Sequence, residues 1–294
     1  MLCASTSALL WGFLPILIKL TLVQVDLVAI VWVRFTIAFF CLVLFFSIKD
    51  PACLAIIRRP PLLLILAALG LTINYIGFVM GVYFTTPANS QIFVQLGPLL
   101  LAIAGIFLFK EKLSLRQFSG FLLAGIGFIV FYKDQINSML GRENFYVTGV
   151  VWLIVASLCW AIYAVFQKIL VRTHAPQQLN IVIYGLPVVL LLPLVRFTDF
   201  FECDILTWLL LLSLGLNTLV AYGCLAASLR FIEANKVSMI IILNPVITFL
   251  TMAILGFMKV NWIAPEIIRA YGIIGAFLVI VGALMVVVSG NSRL

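Results

Sequence analysis

Ten apolar runs, each about as long as a lipid bilayer is thick, leave this chain few ways to fold. They fall at approximately 2–22, 26–48, 62–84, 87–109, 114–132, 147–170, 179–197, 205–229, 235–257 and 267–288. A helix crosses the ~30 Å hydrocarbon core in about 20 residues at ~1.5 Å per residue. Hydrocarbon offers backbone groups no hydrogen-bond partner, so only helices or a closed barrel can span it. The runs show no period-two alternation and are too long for barrel strands. The chain is therefore predicted to be all-α: a polytopic membrane protein with ten transmembrane helices. Composition agrees, with 65% of the 294 residues hydrophobic and 10% charged, against about 25% charged in soluble domains.

Local signals mark several helix ends. Asp26 is placed to cap the second helix, Pro87 suits the first turn of the fourth, and Ser114 with Gln117 forms a capping box for the fifth. The net charge of +8 is scattered, with no contiguous basic patch, so no nucleic-acid partner is expected. In a membrane protein such charges set orientation instead. With the N-terminus in the cytoplasm, eleven Lys and Arg fall on the inner side and six on the outer. Both termini are thus expected in the cytoplasm of a cell (inner) membrane protein. The first run has no basic segment before it and reads as a retained helix rather than a signal peptide. The six cysteines lack CxxC spacing and read as small buried hydrophobes. No metal and no cofactor is expected.

The runs also repeat. Residues 8–19 read ALLWGFLPILIK and residues 157–168 read SLCWAIYAVFQK, so Trp11 aligns with Trp160 and Lys19 with Lys168. QLGPLL at 95–100 echoes ILNPVI at 242–247, pairing Pro98 with Pro245. Gly120 and Gly127 match Gly275 and Gly282. Five spans per half is an odd number, so the halves must cross the membrane in opposite senses: two inverted five-helix repeats. The expected division is 1–132, a polar linker at 133–146 (KDQINSMLGRENFY), and 147–294. Inverted repeats place a substrate site near the midplane between the halves and support alternating access.

The phrases that carry this repeat resemble a known family. LLWG followed by a lysine seven residues later, VRF in the second helix, and GP followed by FLFKEKLS all match, as do CWAIYAVFQK, NP and the paired glycines of the last helix. Across its whole length the chain resembles the drug/metabolite transporter superfamily, in its EamA-type ten-helix branch. The resemblance implies a carrier of small metabolites in the cytoplasmic membrane, commonly an exporter. The expected function is a secondary, non-ATP transporter of small organic metabolites, amino acids or related compounds foremost. Its expected partners are the substrate and the bilayer, with the protein a monomer. The second half departs from the first in having Ile183 and Met258 near the positions expected to match Arg34 and Glu111.

Candidate substrate-binding residues are the polar and aromatic side chains inside the runs. Arg34 lies about eight residues into its helix, roughly 12 Å deep, with no acidic residue deep in any run to pair with it. It reads as a carboxylate-binding or gating arginine, or as a tether to helix carbonyls. Gln91, Gln95 and Pro98 share one face, with Ser238 and Pro245 as counterparts. They read as a cavity stripe with two hinge prolines, or as polar glue between helices. Asn74 and Tyr75 in the third helix, Asn217 and Tyr222 in the eighth, and the aromatics Trp11, Trp160, Tyr163 and Tyr184 complete the set. Lys19 and Lys168 read as anchors at helix ends, and Glu111 as a local ion pair between Lys110 and Lys112. An intramembrane enzyme would need a metal set, an aspartate pair or a Ser–His arrangement. The runs hold no HExxH and no deep Asp, and the lone His174 sits in a loop. A receptor or scaffold would need a larger soluble domain than these loops supply.

Overall fold

A computed structural model describes residues 1–131, 133, 144–260 and 270–288. Among these residues the chain is helical, without strands. The helices are α1 (Leu2–Thr21), α2 (Leu27–Lys49), α3 (Leu62–Phe84), α4 (Pro87–Val94), α5 (Leu96–Phe107) and α6 (Leu115–Phe131), followed by α7 (Asn144–Leu170), α8 (Pro176–Leu191), α9 (Ile205–Phe231), α10 (Ala234–Ile241), α11 (Asn244–Phe257) and α12 (Ala270–Val288). Among the described residues nine stretches are long and apolar enough to cross a membrane, and α6, at 17 residues, is a shorter apolar helix. The expected linker at 133–146 lies largely outside the described residues.

The predicted helix ends carry the expected chemistry. Asp26 Oδ2 accepts from Val28 N–H at 3.0 Å. Ser114 and Gln117 bond reciprocally, side chain to backbone, at 2.9 and 3.2 Å. Asp204 caps α9 by accepting from Thr207 N–H at 2.8 Å. Hydrogen bonds from Thr207 hold that carboxyl below the usual carboxylate range.

Two spans are broken, which the apolar runs do not reveal. α4 gives way to α5 at Gln95, and α10 to α11 at Ile242–Leu243. Each break lies just before one of the predicted hinge prolines. Pro98 has no N–H to offer the Val94 carbonyl and Pro245 none for Ile241, and each ring clashes with the carbonyl four residues back. Both prolines are instead accommodated in the first turn of a new helix.

Packing runs between the halves. α3 lies along α7, α1 along α9, and α6 along α12, all antiparallel, while α2 touches both α8 and α9. α4 and α5 pack on α7, as α10 and α11 pack on α1. Exchanging first-half spans for second-half spans returns the same set of pairs, as two inverted repeats require. The α6–α12 pair is held backbone to backbone by small residues, as is usual where lipid supplies no hydrophobic drive. A Cβ built on Gly127 would lie 2.7 Å from Val279 N and 2.9 Å from Gly275 O, whereas one on Gly125 would meet nothing within 4 Å.

These two glycines give a matched test. Gly127→Ala should destabilise the solubilised protein by about 1–3 kcal/mol, the cost of overpacking a filled interface. Gly125→Ala should be neutral or stabilising by up to about 1 kcal/mol, because alanine favours the helix. Thermal unfolding followed by fluorescence measures both. Equal effects would mean the close approach is not what holds this pair.

Candidate functional site

The midplane is organised around the carbonyls of α1. Pro15 sits inside this helix and withholds the N–H that the Trp11 carbonyl would accept. Gln91 of α4 supplies the missing donor, its Nε2 lying 3.1 Å from Trp11 O. Neighbouring carbonyls of α1 are also met by side chains from other helices. Asn217 Nδ2 donates to Leu10 O at 2.8 Å, and Thr248 Oγ1 donates to Gly12 O. With its amide oriented to satisfy both neighbours, Asn244 Nδ2 donates to Ala8 O and Ile241 O, each at 2.9 Å. The second of those acceptors is the carbonyl that Pro245 leaves unmatched. Gln91 of α4 therefore satisfies the one α1 carbonyl that Pro15 leaves bare, while side chains of α9 and α11 add second bonds to its neighbours and tie α1 in place.

These bonds border a cavity lined by Trp11, Leu14, Arg34, Asn74, Tyr75, Phe78, Gln91, Val94, Gln95, Pro98, Trp160, Tyr222, Ile241 and Asn244. Residues from both halves contribute. The aromatic wall comes from Trp11, Trp160, Tyr222 and Tyr75: Trp11 meets Tyr222 at 4.9 Å and Trp160 at 6.1 Å between ring centroids, and Tyr75 meets Tyr222 at 5.5 Å.

Arg34 supplies the charge. It is 1% exposed, its Nε donates to Thr218 Oγ1 at 3.2 Å, and its guanidinium carbon lies 4.2 Å from the Tyr75 ring centroid. Tyr75 O–H donates to the same Thr218 oxygen at 3.2 Å, and that hydroxyl donates in turn to Leu214 O at 3.0 Å. The ring stacks against a cation while the hydroxyl orients it. Among the described residues no carboxylate pairs with Arg34. Of the two readings drawn from sequence, its partners are a hydroxyl and a ring rather than helix carbonyls. The buried cavity groups without a hydrogen-bond partner among the described residues are Trp11 Nε1, Gln91 Oε1 and both amide atoms of Gln95.

The cavity gathers Trp11, Arg34, Asn74, Tyr75, Gln91, Gln95, Trp160, Tyr222 and Pro98 from the sequence-derived set. It does not gather Tyr163, Tyr184, Asn217, Ser238 or Pro245. Tyr163 is buried behind Tyr222, 5.7 Å from its ring centroid, and Tyr184 lies behind Phe35, 6.4 Å between centroids. Asn217 braces α1, Ser238 is buried in α10, and Pro245 opens α11. The glutamine stripe divides: Gln91 is interhelical glue as well as lining, and Gln95 is lining. Asn74 donates to Ala156 O at 2.9 Å and so also ties α3 to α7. Thr218 and Asn244 were missed. Asn244 had a signal, a polar residue directly before a mid-span proline; a threonine within an apolar run had none.

The lysines and Glu111 differ from expectation. Lys19 Nζ donates to Val82, Tyr83 and Thr85 carbonyls at 3.2–3.4 Å, closing the end of α3. Lys168 closes the end of α9 in the same way through Ile232 O. Each binds the carbonyls of another helix rather than only snorkelling from its own. Glu111 meets Lys168, from the other half of the chain, at 4.0 Å. No group of three or more metal-ligating side chains occurs among the described residues.

Comparison with known proteins places this geometry. The EamA-like transporter family matches residues 1–133 and again 147–288. An uncharacterized transporter of Haemophilus influenzae is 32% identical over 284 residues, covering 96% of this chain and 92% of its own. The inner membrane transporter YhbE of Escherichia coli K12 is 32% identical over 286 residues, with coverage of 96% and 89%. A probable amino-acid metabolite efflux pump of Salmonella typhimurium is 26% identical over 261 residues, covering 83% of each chain. One solved crystal structure superposes with a TM-score of 0.74 at 18% identity, covering 100% of this chain and 98% of its own, a likeness of fold.

The Gln91–Trp11 bond predicts a coupling. Gln91→Leu should destabilise the protein by about 1–3 kcal/mol by leaving the Trp11 carbonyl buried without a donor. In a Pro15→Ala background the helix supplies its own N–H, so Gln91→Leu should then cost at least 1 kcal/mol less, on the order of measured pairwise couplings. Additive effects in the four-protein cycle would refute the pairing.

Proposed function

The chain belongs to the EamA-like transporter family, and on that premise we propose that it is a secondary carrier of small organic metabolites in the inner membrane, with amino acids or related carboxylates as its substrates. The observation that carries this reading is Arg34, a buried guanidinium without a carboxylate partner on the wall of a cavity that both halves line. A buried cation is costly in a membrane and persists where it faces a cavity or a ligand. Its planar nitrogens suit a substrate carboxylate in a two-point bond. The aromatic wall suits the apolar remainder of the molecule, and the free amide atoms of Gln95 suit a polar group upon it. The Salmonella relative's name points the same way for that protein.

The substrate-contacting residues of this proposal are Trp11, Arg34, Asn74, Tyr75, Gln91, Gln95, Trp160 and Tyr222. Tyr163, Tyr184, Asn217 and Ser238 stand behind them as support. Alternating access would use the breaks before Pro98 and Pro245 as hinges, with the halves joined through 133–146. The amino-acid and exporter parts of the reading rest on Arg34 and on the relatives together.

Purified protein in proteoliposomes should move at least one member of an amino-acid and organic-acid panel. The same compound should raise the thermal midpoint of the solubilised protein by mass action. Arg34→Gln should weaken half-saturation for that compound about 30-fold or more, since removing one partner of a buried charged pair costs about 2–5 kcal/mol. Esterifying the substrate carboxylate should produce a loss of the same size in the unaltered protein and little further loss in Arg34→Gln. A panel that neither binds nor moves would sink the reading.

A further inference from the structure

At the end of the bundle opposite Lys19 stands a carboxylate that substrate binding does not use. Glu111 follows α5 and reaches into the second half. Its Oε1 accepts from Ala234 N–H at 2.7 Å and its Oε2 from Asn235 N–H at 3.0 Å. These are the first two amides of α10, whose own N-cap residue, Glu233, makes no side-chain cap. Lys168, 4.0 Å from Oε1, also bonds the Ile232 carbonyl that closes α9. One carboxylate of the first half thus joins the end of α7, the end of α9 and the start of α10. Carboxylate bonds to helix N-terminal amides are charge-assisted and lie along the helix dipole.

The other end of the bundle is built differently. Lys110 and Lys259 both take left-handed backbone conformations, with φ 54° and 52°. That match puts Val260, rather than Met258, where Glu111 stands in the first half. Val260 packs against Ile16 and Met252. The half-helix at that end, α4, is capped within its own chain segment, Thr86 Oγ1 accepting from Asn89 N–H at 3.2 Å. α10 is thus capped across the halves by Glu111, whereas its counterpart α4 is capped within its own segment and an apolar Val260 stands where Glu111 would be.

The cavity is not centred between these ends. Gln91 lies one turn into α4, and Leu14 and Phe78 lie within two turns of the Lys19 ends of α1 and α3. Toward the Glu111 end, by contrast, the lining residue of α10 is Ile241, seven residues and ~10 Å beyond Ala234. The whole of α10 therefore stands between the cavity and that face, tied at its start by Glu111.

Resting on the carrier reading above, we propose that Glu111 is the gating latch of this transporter. Its carboxylate holds α10 closed over the cavity. Releasing it frees α10 to turn about the break at Ile242–Leu243 and opens the cavity to the Glu111 face. Gly105 belongs to the same device: a methyl there would lie 2.8 Å from Glu111 Oε2 and 3.1 Å from the Asn235 side chain, so alanine displaces the carboxylate without removing its charge.

The test is hydrogen exchange with mass-spectrometric readout on the intact protein in nanodiscs, with site-resolved labelling of Ile241→Cys by an aqueous maleimide. Glu111→Gln and Gly105→Ala should each speed exchange in the peptide covering 234–241 by about tenfold or more, and label I241C faster by a similar factor, tenfold being 1.4 kcal/mol of latch energy. Exchange in α6 and α12 should not change. Unaltered exchange and labelling in both variants overturns the latch. So does a uniform rise across the bundle, which would make Glu111 a structural tie and no more. Neither readout needs a substrate. If α10 loosens yet no compound is moved, the carrier reading falls and the latch stands; if flux is found and α10 stays protected, the latch falls alone.

Discussion

A proline inside a membrane helix leaves a carbonyl without its donor, and hydrocarbon requires that carbonyl to find another. Much of this molecule follows from how three such carbonyls are handled. Trp11, Val94 and Ile241, each four residues before a proline, all border one cavity. Gln91 answers the first and Asn244 the third. Because those amides belong to other helices, satisfying the backbone also fixes α1 against α4 and α11. The irregular backbone, the polar side chains and the open space occur together because each requires the others.

The backbone has near two-fold pairing, but its chemistry does not. Arg34 has Ile183 at the matching position of the second half and Glu111 has Val260. The cavity's cation therefore stands over Tyr75 on one side only, and Glu111 caps the start of α10 where α4, its counterpart, has no such carboxylate. A symmetric scaffold thus carries an asymmetric distribution of charge.

The spans were legible because hydropathy and helix length are both local. The repeat was legible because tryptophan, lysine and proline recur at matching intervals. From these, most of the cavity followed: Trp11 and Trp160, placed mid-span in equivalent helices, do meet. The breaks at Gln95 and Ile242–Leu243 were not legible, since hydropathy averaged over a span passes across a single polar residue; the prolines marked their neighbourhood, not their form. Tyr163 and Tyr184 have the same composition signal as Tyr75 and Tyr222, and only the rotation of each helix decides which rings reach the cavity. Thr218 was hidden because a threonine is cheap in an apolar helix, whatever else it holds. The partners of Glu111 lie more than a hundred residues away, beyond any local pattern.

The interlocked pairing has a consequence for how the chain comes to be folded. α3 finds its long neighbour in α7, α1 in α9 and α6 in α12, and Arg34 finds its hydroxyl on α9. When the ribosome has made the first five spans, none of these partners exists. The half-made protein can insert into lipid and make the Gln91–Trp11 bond, but it lacks the long neighbours of α1, α3 and α6, and its arginine waits in hydrocarbon without the α9 hydroxyl. Native packing is therefore a late, collective event, completed when α12 arrives to meet α6.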